Sequence, residues 1–449
     1  MTSGGIICVR TSPALYGVVQ IEGAKNAVLV IMASLILTKG ISLLRRVPPS
    51  ADVFQMIRML EMLGARIAFD IPARTLSVDT TMISGDGILD PVIVRTFRAS
   101  TLVMGPLLAR FHRARVAFPG GDNIGLRPID FHVRAFEQMG ARIDIINDEM
   151  HVHAERLQAC CFVLEYPSVG ATENVMMAAV LTPGKTIVIN AALEPEVLDL
   201  INVLRAMGAC ISLSVPNSII IEGVSVLHPV DYAVMYDRLE AGTFAIAAVV
   251  SGGAIEIPQA PAQHMEVFIE KVRQMGHHVR IGDGGTGIAV EATRTPRAVS
   301  FRTMPYPGFP TDLQALMMIA QIRAHGVSTI YETVHERRLS HVPQLMRCGA
   351  DITVQGEMTA IVRGVLGIQG AEVVGGDLRA VAALVLAGLI AEGETIVRGI
   401  EHLVRGYVDF DVKLRALGAV VEYRGHASAT INDVRAHEIP ASSINIIGV

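Results

Sequence analysis

The sequence has no tryptophan, and only 5% of its residues are aromatic. Its 8 tyrosines and 13 phenylalanines do not cluster, so no stacking platform for nucleic-acid bases is visible. A basic excess is missing as well. Lys and Arg number 38 against 43 Asp and Glu, a formal charge of −5, which excludes a general nucleic-acid binder. Charge of either sign is sparse at 18% while 51% of the residues are hydrophobic, so the composition of a disordered chain is excluded too. Long apolar runs are also absent. Mean hydropathy is +0.44, but Ala27–Leu37 and Ala380–Ala391 reach only 11 and 12 residues, short of the roughly 20 of a membrane-spanning helix. Gly252 and Gly253 break the longer uncharged stretch Ala241–Ile255. The five cysteines, Cys8, Cys160, Cys161, Cys210 and Cys348, form neither an even framework nor a C-x-x-C pair. Met1–Ile6 lacks the basic flank and apolar core of a signal peptide. Reduced thiols in a cytoplasmic protein are therefore expected. His151 with His153, and His277 with His278, have no carboxylate or cysteine spacing around them, so no metal is expected.

What is present is a repeat. An apolar–Gly–small phrase recurs as MLGARI, QMGARI, AMGACI, QMGHHV, RCGADI and ALGAVV, with its glycines at 64, 140, 208, 276, 349 and 418. The spacings are 76, 68, 68, 73 and 69 residues. Each glycine follows a helical period and precedes a β-branched run, as a left-handed residue after a helix C-terminus does. Upstream of each phrase lies a second helix, apolar almost all round: AKNAVLVIMASLIL, FRASTLVMGPLLARF, GATENVMMAAVL, DRLEAGTFAIAAVV, PTDLQALMMIAQIRA and DLRAVAALVLAGLIA. Such helices belong inside a core rather than on its surface. Five of them end on a glycine, at 40, 184, 252, 326 and 393, and each then enters a strand. The unit reads as buried helix, strand, amphipathic helix, strand, about 70 residues long. The fold class predicted is α/β, with two inside-out domains of three repeats each, outer sheets and buried central helices. Residues 25–235 would form one domain, including the loop 119–130, and 236–449 with 1–24 the other.

The central helices carry their few polar residues in the first turn: Lys25-Asn26, Arg98, Thr172-Glu173-Asn174, Asp237-Arg238, Thr311-Asp312 and Asp377-Leu378-Arg379. Helix N-termini favour anions through free N–H groups and the dipole. For Asp237, Thr311 and Asp377 ordinary capping and a place at an anion site are equal alternatives. Capping does not account for Lys25, Arg98 and Arg379, because cations are disfavoured at that end, and these point to a bound phosphate or carboxylate. The segment Pro119–Asp130 holds three glycines, two prolines, two acids and Arg127 in 12 residues. Its glycines allow close backbone approach to a ligand or a hinge movement.

The same residues carry a family resemblance. The motifs are GAKNA, RAS…GPLLARF, PGG-x-x-IG-x-RP-x-D, SVGATEN, EPE, DR-x-E-x-GTF, GFPTD-x-QA, ET-x-x-E-x-R, DLRA…LAGL and RGY, running from about Gly23 to Glu422. Together they resemble the enolpyruvyl transferases of the UDP-N-acetylglucosamine 1-carboxyvinyltransferase family, whose fold is two inside-out α/β domains of six repeats. The resemblance implies that the N-terminal strand joins the C-terminal domain. It also implies transfer of enolpyruvyl from phosphoenolpyruvate to the 3-hydroxyl of UDP-N-acetylglucosamine, with no cofactor, no nucleic-acid partner and no membrane. Lys25, Asn26, Arg127 and Arg405 would then bind phosphoenolpyruvate. Arg98, Arg127, Pro128, Ile129, Asp130, Phe131, Ser168, Val169, Asp312 and Val334 would line the UDP-sugar site. Asp312 would serve as general base, and Glu194, Glu196, Arg238, Glu336, Arg338 and Arg379 would support the cleft. Asp122 falls where the family usually carries its loop cysteine, a substitution expected to confer fosfomycin resistance, and would act as the acid. Tyr166-Pro167 replaces a lysine that many members carry before S-V-G.

Addition–elimination fits these residue types. It needs a base for the sugar hydroxyl, an acid for C3 of phosphoenolpyruvate, and cations for two phosphorylated substrates. The sister enzyme 5-enolpyruvylshikimate-3-phosphate synthase opens its first helix with a G-D-K-S-type phrase, against Gly23-Ala24-Lys25-Asn26 here. Enolpyruvyl transfer to another uridine nucleotide, and a catalytically silent UDP-sugar-binding regulator, are the alternatives. RNA 3′-phosphate cyclases share the repeat architecture but carry a nucleophilic histidine motif not seen here.

Overall fold

The structure, a computed structural model, describes residues 5–425 other than Asp86, Ile88, Asn123, Leu126 and Arg127. Residue contacts divide the chain into two compact units. The described residues within Met1–Glu22, Asp122–Arg127 and Tyr236–Glu438 form one, and those of Gly23–Gly121 and Pro128–Met235 form the other. The first holds repeats four to six and the second repeats one to three. Asp122, Ile124 and Gly125 group with repeats four to six, although the chain on either side of them belongs to repeats one to three.

The repeat read from the glycines is the structural repeat. Gly64, Gly140, Gly208, Gly276, Gly349 and Gly418 all sit at φ between 88° and 107°, where a side chain would clash with its own backbone. The glycines that end the central helices, at 40, 184, 252, 326 and 393, are positive too. In repeat two, which has no glycine at this place, His112 takes the left-handed position instead, at φ 58°.

The central helices are Lys25–Ser34, Met104–Phe111, Val169–Ala179, Arg238–Ser251, Gln314–Ile322 and Leu378–Ile390. Every residue of Leu378–Ile390 is buried, which explains a sequence with no polar face after its first turn. The second helix is shorter than its apolar run. Arg98–Val103 is a 3₁₀ turn and the α-helix starts only at Met104, because Pro106 has no N–H to give to the carbonyl of Leu102. Around these helices lie sheets whose strands alternate buried and half-exposed residues, as in Leu76 and Val78 of Thr75–Asp79, so one face meets the helices and the other meets solvent.

In repeats one to five the middle of each sheet is the second strand of a local hairpin, such as Thr75–Asp79 between Ile41–Arg45 and Arg66–Asp70. In repeat six the N-terminal strand Ile6–Arg10 fills that place, antiparallel to both Glu394–Arg398 (Ile7 opposite Val397) and Val421–Arg424 (Ile7 opposite Tyr423). Among the described residues, two other strands come from outside their own repeat, and both pair in parallel. Tyr16–Val18 adds to the sheet of repeat four, and Asp231–Ala233 to that of repeat one. The sheet of repeat two has three strands among the described residues. Among the described residues no helix is long and apolar enough to cross a membrane.

Candidate active site

In the unit of repeats four to six, the central-helix starts are capped as expected at two places. Asp237 accepts from the N–H groups of Leu239 and Glu240, and Asp377 from those of Arg379 and Ala380. Thr311 does something else: its hydroxyl donates to Glu332 Oε2 at 3.0 Å. The other oxygen of buried Glu332 accepts from the Thr303 hydroxyl and from the N–H groups of Val334 and His335. Glu332 thereby joins the Thr311-Asp312 turn to the loop that carries Val334. Nothing in the sequence marked it beyond its place in E-T-x-x-E-x-R.

Asp312 is the focus of this unit. Its Oδ1 accepts from Arg338 at 2.8 Å, and its Oδ2 from Nε and Nη2 of Arg379 at 3.2 and 3.1 Å. The arginine side chains are 4% and 5% exposed and Asp312 is 26% exposed, so the carboxylate faces outward from two buried cations. Burial pushes its pKa up, but Arg379, Arg338 and His335 outweigh that and hold it well below the carboxylate range. A third link fixes Arg379. It donates to the Tyr407 hydroxyl at 2.8 Å, which meets the Thr243 hydroxyl at 2.6 Å, and Thr243 donates to the carbonyl of Leu239. Thus Asp312, Arg338 and Arg379, distant in sequence, are brought together, and Arg379 is neutralised within the chain. The Arg238 guanidinium lies 5.9 Å from the Tyr306 ring centre.

Asp122 meets Arg405 and His402 in the same unit. Arg405 Nη1 donates to its Oδ1, and His402 Nδ1 lies 3.1 Å from the same oxygen. The adjoining N–H of Arg337 donates to the carbonyl of Ile124, and Gly125 passes so close to Glu336 that a Cβ there would lie 2.1 Å from Oε2. His402 was not among the sequence candidates; the available signal was its place one helical turn before Arg405. Deeper in, Glu240 accepts from Lys413 Nζ at 2.7 Å and from the N–H of Glu22. Burial raises its pKa to about 7 against the pull of Lys413.

In the unit of repeats one to three, Lys25 forms an ion pair with Asp52 Oδ2 at 2.5 Å, while Asn26 beside it is exposed. The sequence reading took Lys25, Arg98 and Arg379 as cations awaiting an external anion. For Lys25 and Arg379 the counter-charge is in the chain, on Asp52 and Asp312, too distant in sequence for spacing to show. Arg98 reaches the carbonyl of Pro128 at 3.4 Å. Ile129 precedes the helix Asp130–Gln138, where Asp130 pairs with Arg134 at 2.9 Å and the Arg134 guanidinium lies 4.8 Å from the Phe131 ring centre. Arg127 lies outside the described residues. Ser168 is the N-cap residue of Val169–Ala179, but its side chain does not cap, so its hydroxyl is left for other partners. Glu173 is buried, and burial with Glu196 and Glu194 nearby raises its pKa well above the glutamate range. Among the described residues no group of His, Cys, Asp or Glu gathers in a way that could hold a metal ion.

A buried amide ties these segments together. Asn174 accepts from the N–H of Gly105 at 2.8 Å and donates to the carbonyl of Thr101 at 3.1 Å, and its Nδ2 meets His132 Nδ1 at 3.0 Å. Burial lowers the His132 pKa to about 3, so the ring is neutral and Nδ1 accepts. One side chain thus links the turn bearing Arg98, the helix bearing Asp130 and Phe131, and the helix beginning at Val169. Close approach makes this possible: a Cβ on Gly105 would lie 2.4 Å from the Asn174 carbonyl oxygen, a backbone atom that cannot swing away. Gly105→Ala should cost about 1–3 kcal/mol through overpacking, read as a lower urea midpoint. An unchanged midpoint would show that the two helices separate at no cost.

A family profile described as EPSP synthase (3-phosphoshikimate 1-carboxyvinyltransferase) matches residues 9–414. The chain is 44% identical over 417 residues to the UDP-N-acetylglucosamine 1-carboxyvinyltransferase of Myxococcus xanthus (strain DK1622), covering 92% of this chain and 98% of that protein. It is 45% identical over 408 residues to the protein of the same name from Dichelobacter nodosus (strain VCS1703A), covering 91% and 96%. The structure is similar to that of the enolpyruvyl transferase NikO from Streptomyces tendae, with a TM-score of 0.85 at 24% identity, covering 94% of this chain and 99% of that one. It is similar also to EPSP synthase from Acinetobacter baumannii, with a TM-score of 0.71 at 17% identity over 94% of this chain and 100% of that one. These two likenesses bear on the fold.

Proposed function

Because the chain belongs to the enolpyruvyl transferase family of EPSP synthase, and within it to the UDP-N-acetylglucosamine 1-carboxyvinyltransferases, we propose that it transfers enolpyruvyl from phosphoenolpyruvate to the 3-hydroxyl of UDP-N-acetylglucosamine. Phosphate is the second product. The observation that carries the choice of acceptor is identity of 44–45% along nearly the whole length of two relatives of that name. The step belongs to peptidoglycan precursor synthesis, and the protein works in the cytoplasm.

The residues divide the work as follows. Lys25, Asn26, Arg127 and Arg405 bind phosphoenolpyruvate. Arg98, the Arg127–Phe131 segment, Ser168, Val169, Asp312 and Val334 bind the nucleotide sugar. Asp312 receives the hydroxyl proton as the C–O bond forms. Its two arginines make it a weak base, so its part is to accept the hydroxyl's hydrogen bond and take the proton late. Asp122 delivers a proton to C3 of the donor. Glu194, Glu196, Arg238, Glu336, Arg338 and Arg379 hold the binding groups in place.

Phosphate release tests the reading directly. It should occur with phosphoenolpyruvate and UDP-N-acetylglucosamine together and with neither alone. Equal or faster release with shikimate 3-phosphate or with UMP would reassign the acceptor, and no release with any acceptor would leave only a binding role.

A further inference from the structure

An aspartate that must give a proton to carbon near neutral pH needs a source for it, since its ordinary pKa is about 3.9. Arg405 on Asp122 makes that harder, because a guanidinium favours the carboxylate. His402 meets the same oxygen. It lies on the short helix Ile400–Leu403, one turn before Arg405, so both side chains leave the same side of the chain. Its Nδ1 stands 3.1 Å from Asp122 Oδ1, with the histidine side chain 29% exposed and Asp122 and Arg405 each 16% exposed. Imidazole changes protonation between pH 5 and 8, which the guanidinium of Arg405 does not.

We propose that His402 is a positioning residue for Asp122, which holds Oδ1 opposite Arg405 and stores the proton that Asp122 passes to the donor's methylene carbon. This rests on the enolpyruvyl-transfer reading. In the addition, the Nδ1 proton of the imidazolium passes to the Asp122 carboxylate and from there to C3, leaving a neutral imidazole beside a carboxylate, while the acceptor oxygen bonds to C2 and its proton goes to Asp312. In the elimination, C3 returns a proton to Asp122, which passes it to His402, and phosphate leaves with the proton held at Asp312. No proton is gained or lost over the cycle. The surroundings suit the role. The hydrogen bond to Asp122 raises the His402 pKa against partial burial, with the charges of Asp122 and Glu401 adding to it and that of Arg405 opposing it.

The sign follows. The pair is loaded below the His402 pKa and empties above it, so activity falls on the alkaline side. His402→Gln keeps an amide donor for Asp122 but cannot store a proton. It should lower kcat at pH 7 at least tenfold, leave KM for the nucleotide sugar within about threefold, and move the alkaline limb of the kcat profile down by a pH unit or more. A variant profile that superimposes on the wild type would overturn the proposal. A second arm does not depend on turnover: titration of ¹³C-labelled histidine should place His402 above the ordinary value of about 6.5 in the resting protein, and Asp122→Asn should lower it. An ordinary value unmoved by Asp122→Asn would also overturn it. Failure of the wild type to release phosphate with any acceptor would sink the reaction assignment, while the titration would still report on the pair.

Discussion

Asp312→Asn is expected to lower kcat by about 10²–10⁴, the range lost when a positioned proton acceptor is removed. The amide fills nearly the same space, so KM for the nucleotide sugar should change far less than kcat. Stability falls at the same time, because Arg338 and Arg379, at 4% and 5% exposure, lose the charge that offsets their burial. Breaking such a pair costs about 3 kcal/mol, toward the lower end of the usual range because Asp312 is partly exposed and asparagine keeps one acceptor. The pH dependence has a definite sign. The folded-state pKa is depressed, so this stabilisation is present above the unfolded value of about 3.9 and is lost as the pH falls through the folded value. The asparagine variant should therefore lose less stability than the wild type on acidification below pH 4. It also follows that Asp312 stays ionised from pH 5 to 9 and shapes neither limb of the activity profile there. Urea midpoints at about pH 7 and about pH 3, with steady-state kinetics, check each part. A variant within tenfold of wild-type kcat would reduce Asp312 to a structural counter-ion of two arginines.

The second large effect concerns Asp122. Wild-type protein should resist time-dependent inactivation by fosfomycin, an epoxide expected to alkylate the thiolate that the family resemblance implies at this place. A carboxylate is a far poorer nucleophile toward an epoxide, and this one is tied down by Arg405 and His402 on Oδ1. Asp122→Cys should restore inactivation, with one adduct on residue 122 by mass spectrometry. It should also shift the activity optimum toward neutral pH, because a thiol with an ordinary pKa of about 8.5 keeps its proton at pH 7 without help. If Asp122 is the acid, as proposed, Asp122→Ala should lower kcat by about 10²–10⁴. Full activity in Asp122→Ala, or an adduct on Asp122 in wild type, would end the case for Asp122 as the acid.

Local rules made much of the fold legible. A left-handed residue after a helix is glycine by steric necessity, so the six recurring glycines marked the repeat before any contact was known. Apolar residues all round a helix imply burial on every side, and the central helices are buried accordingly. The same reasoning failed at Pro106, whose apolar neighbours hid a break in hydrogen bonding, and at position 112, where a histidine adopts the glycine conformation. Capping was readable at Asp237 and Asp377 but not at Thr311, because the partner of Thr311 is 21 residues away on Glu332.

The sequence by itself determined the repeat, the buried helices, and the residue types available for acid–base and anion chemistry, because these follow from conformational preference and periodicity within a few residues; the family was legible only through the resemblance of its motifs. Only the tertiary structure decided which charges neutralise which. Lys25 with Asp52, Asp312 with Arg338 and Arg379, and Asp122 with His402 and Arg405 are pairs separated by 26 to 283 residues. No local pattern records such pairs, since a Coulomb interaction depends on distance in space and on the dielectric around it. The resemblance implied which domain the strand Ile6–Arg10 joins, but its place between Glu394–Arg398 and Val421–Arg424 and its register there are decided by pairing between residues far apart in the chain.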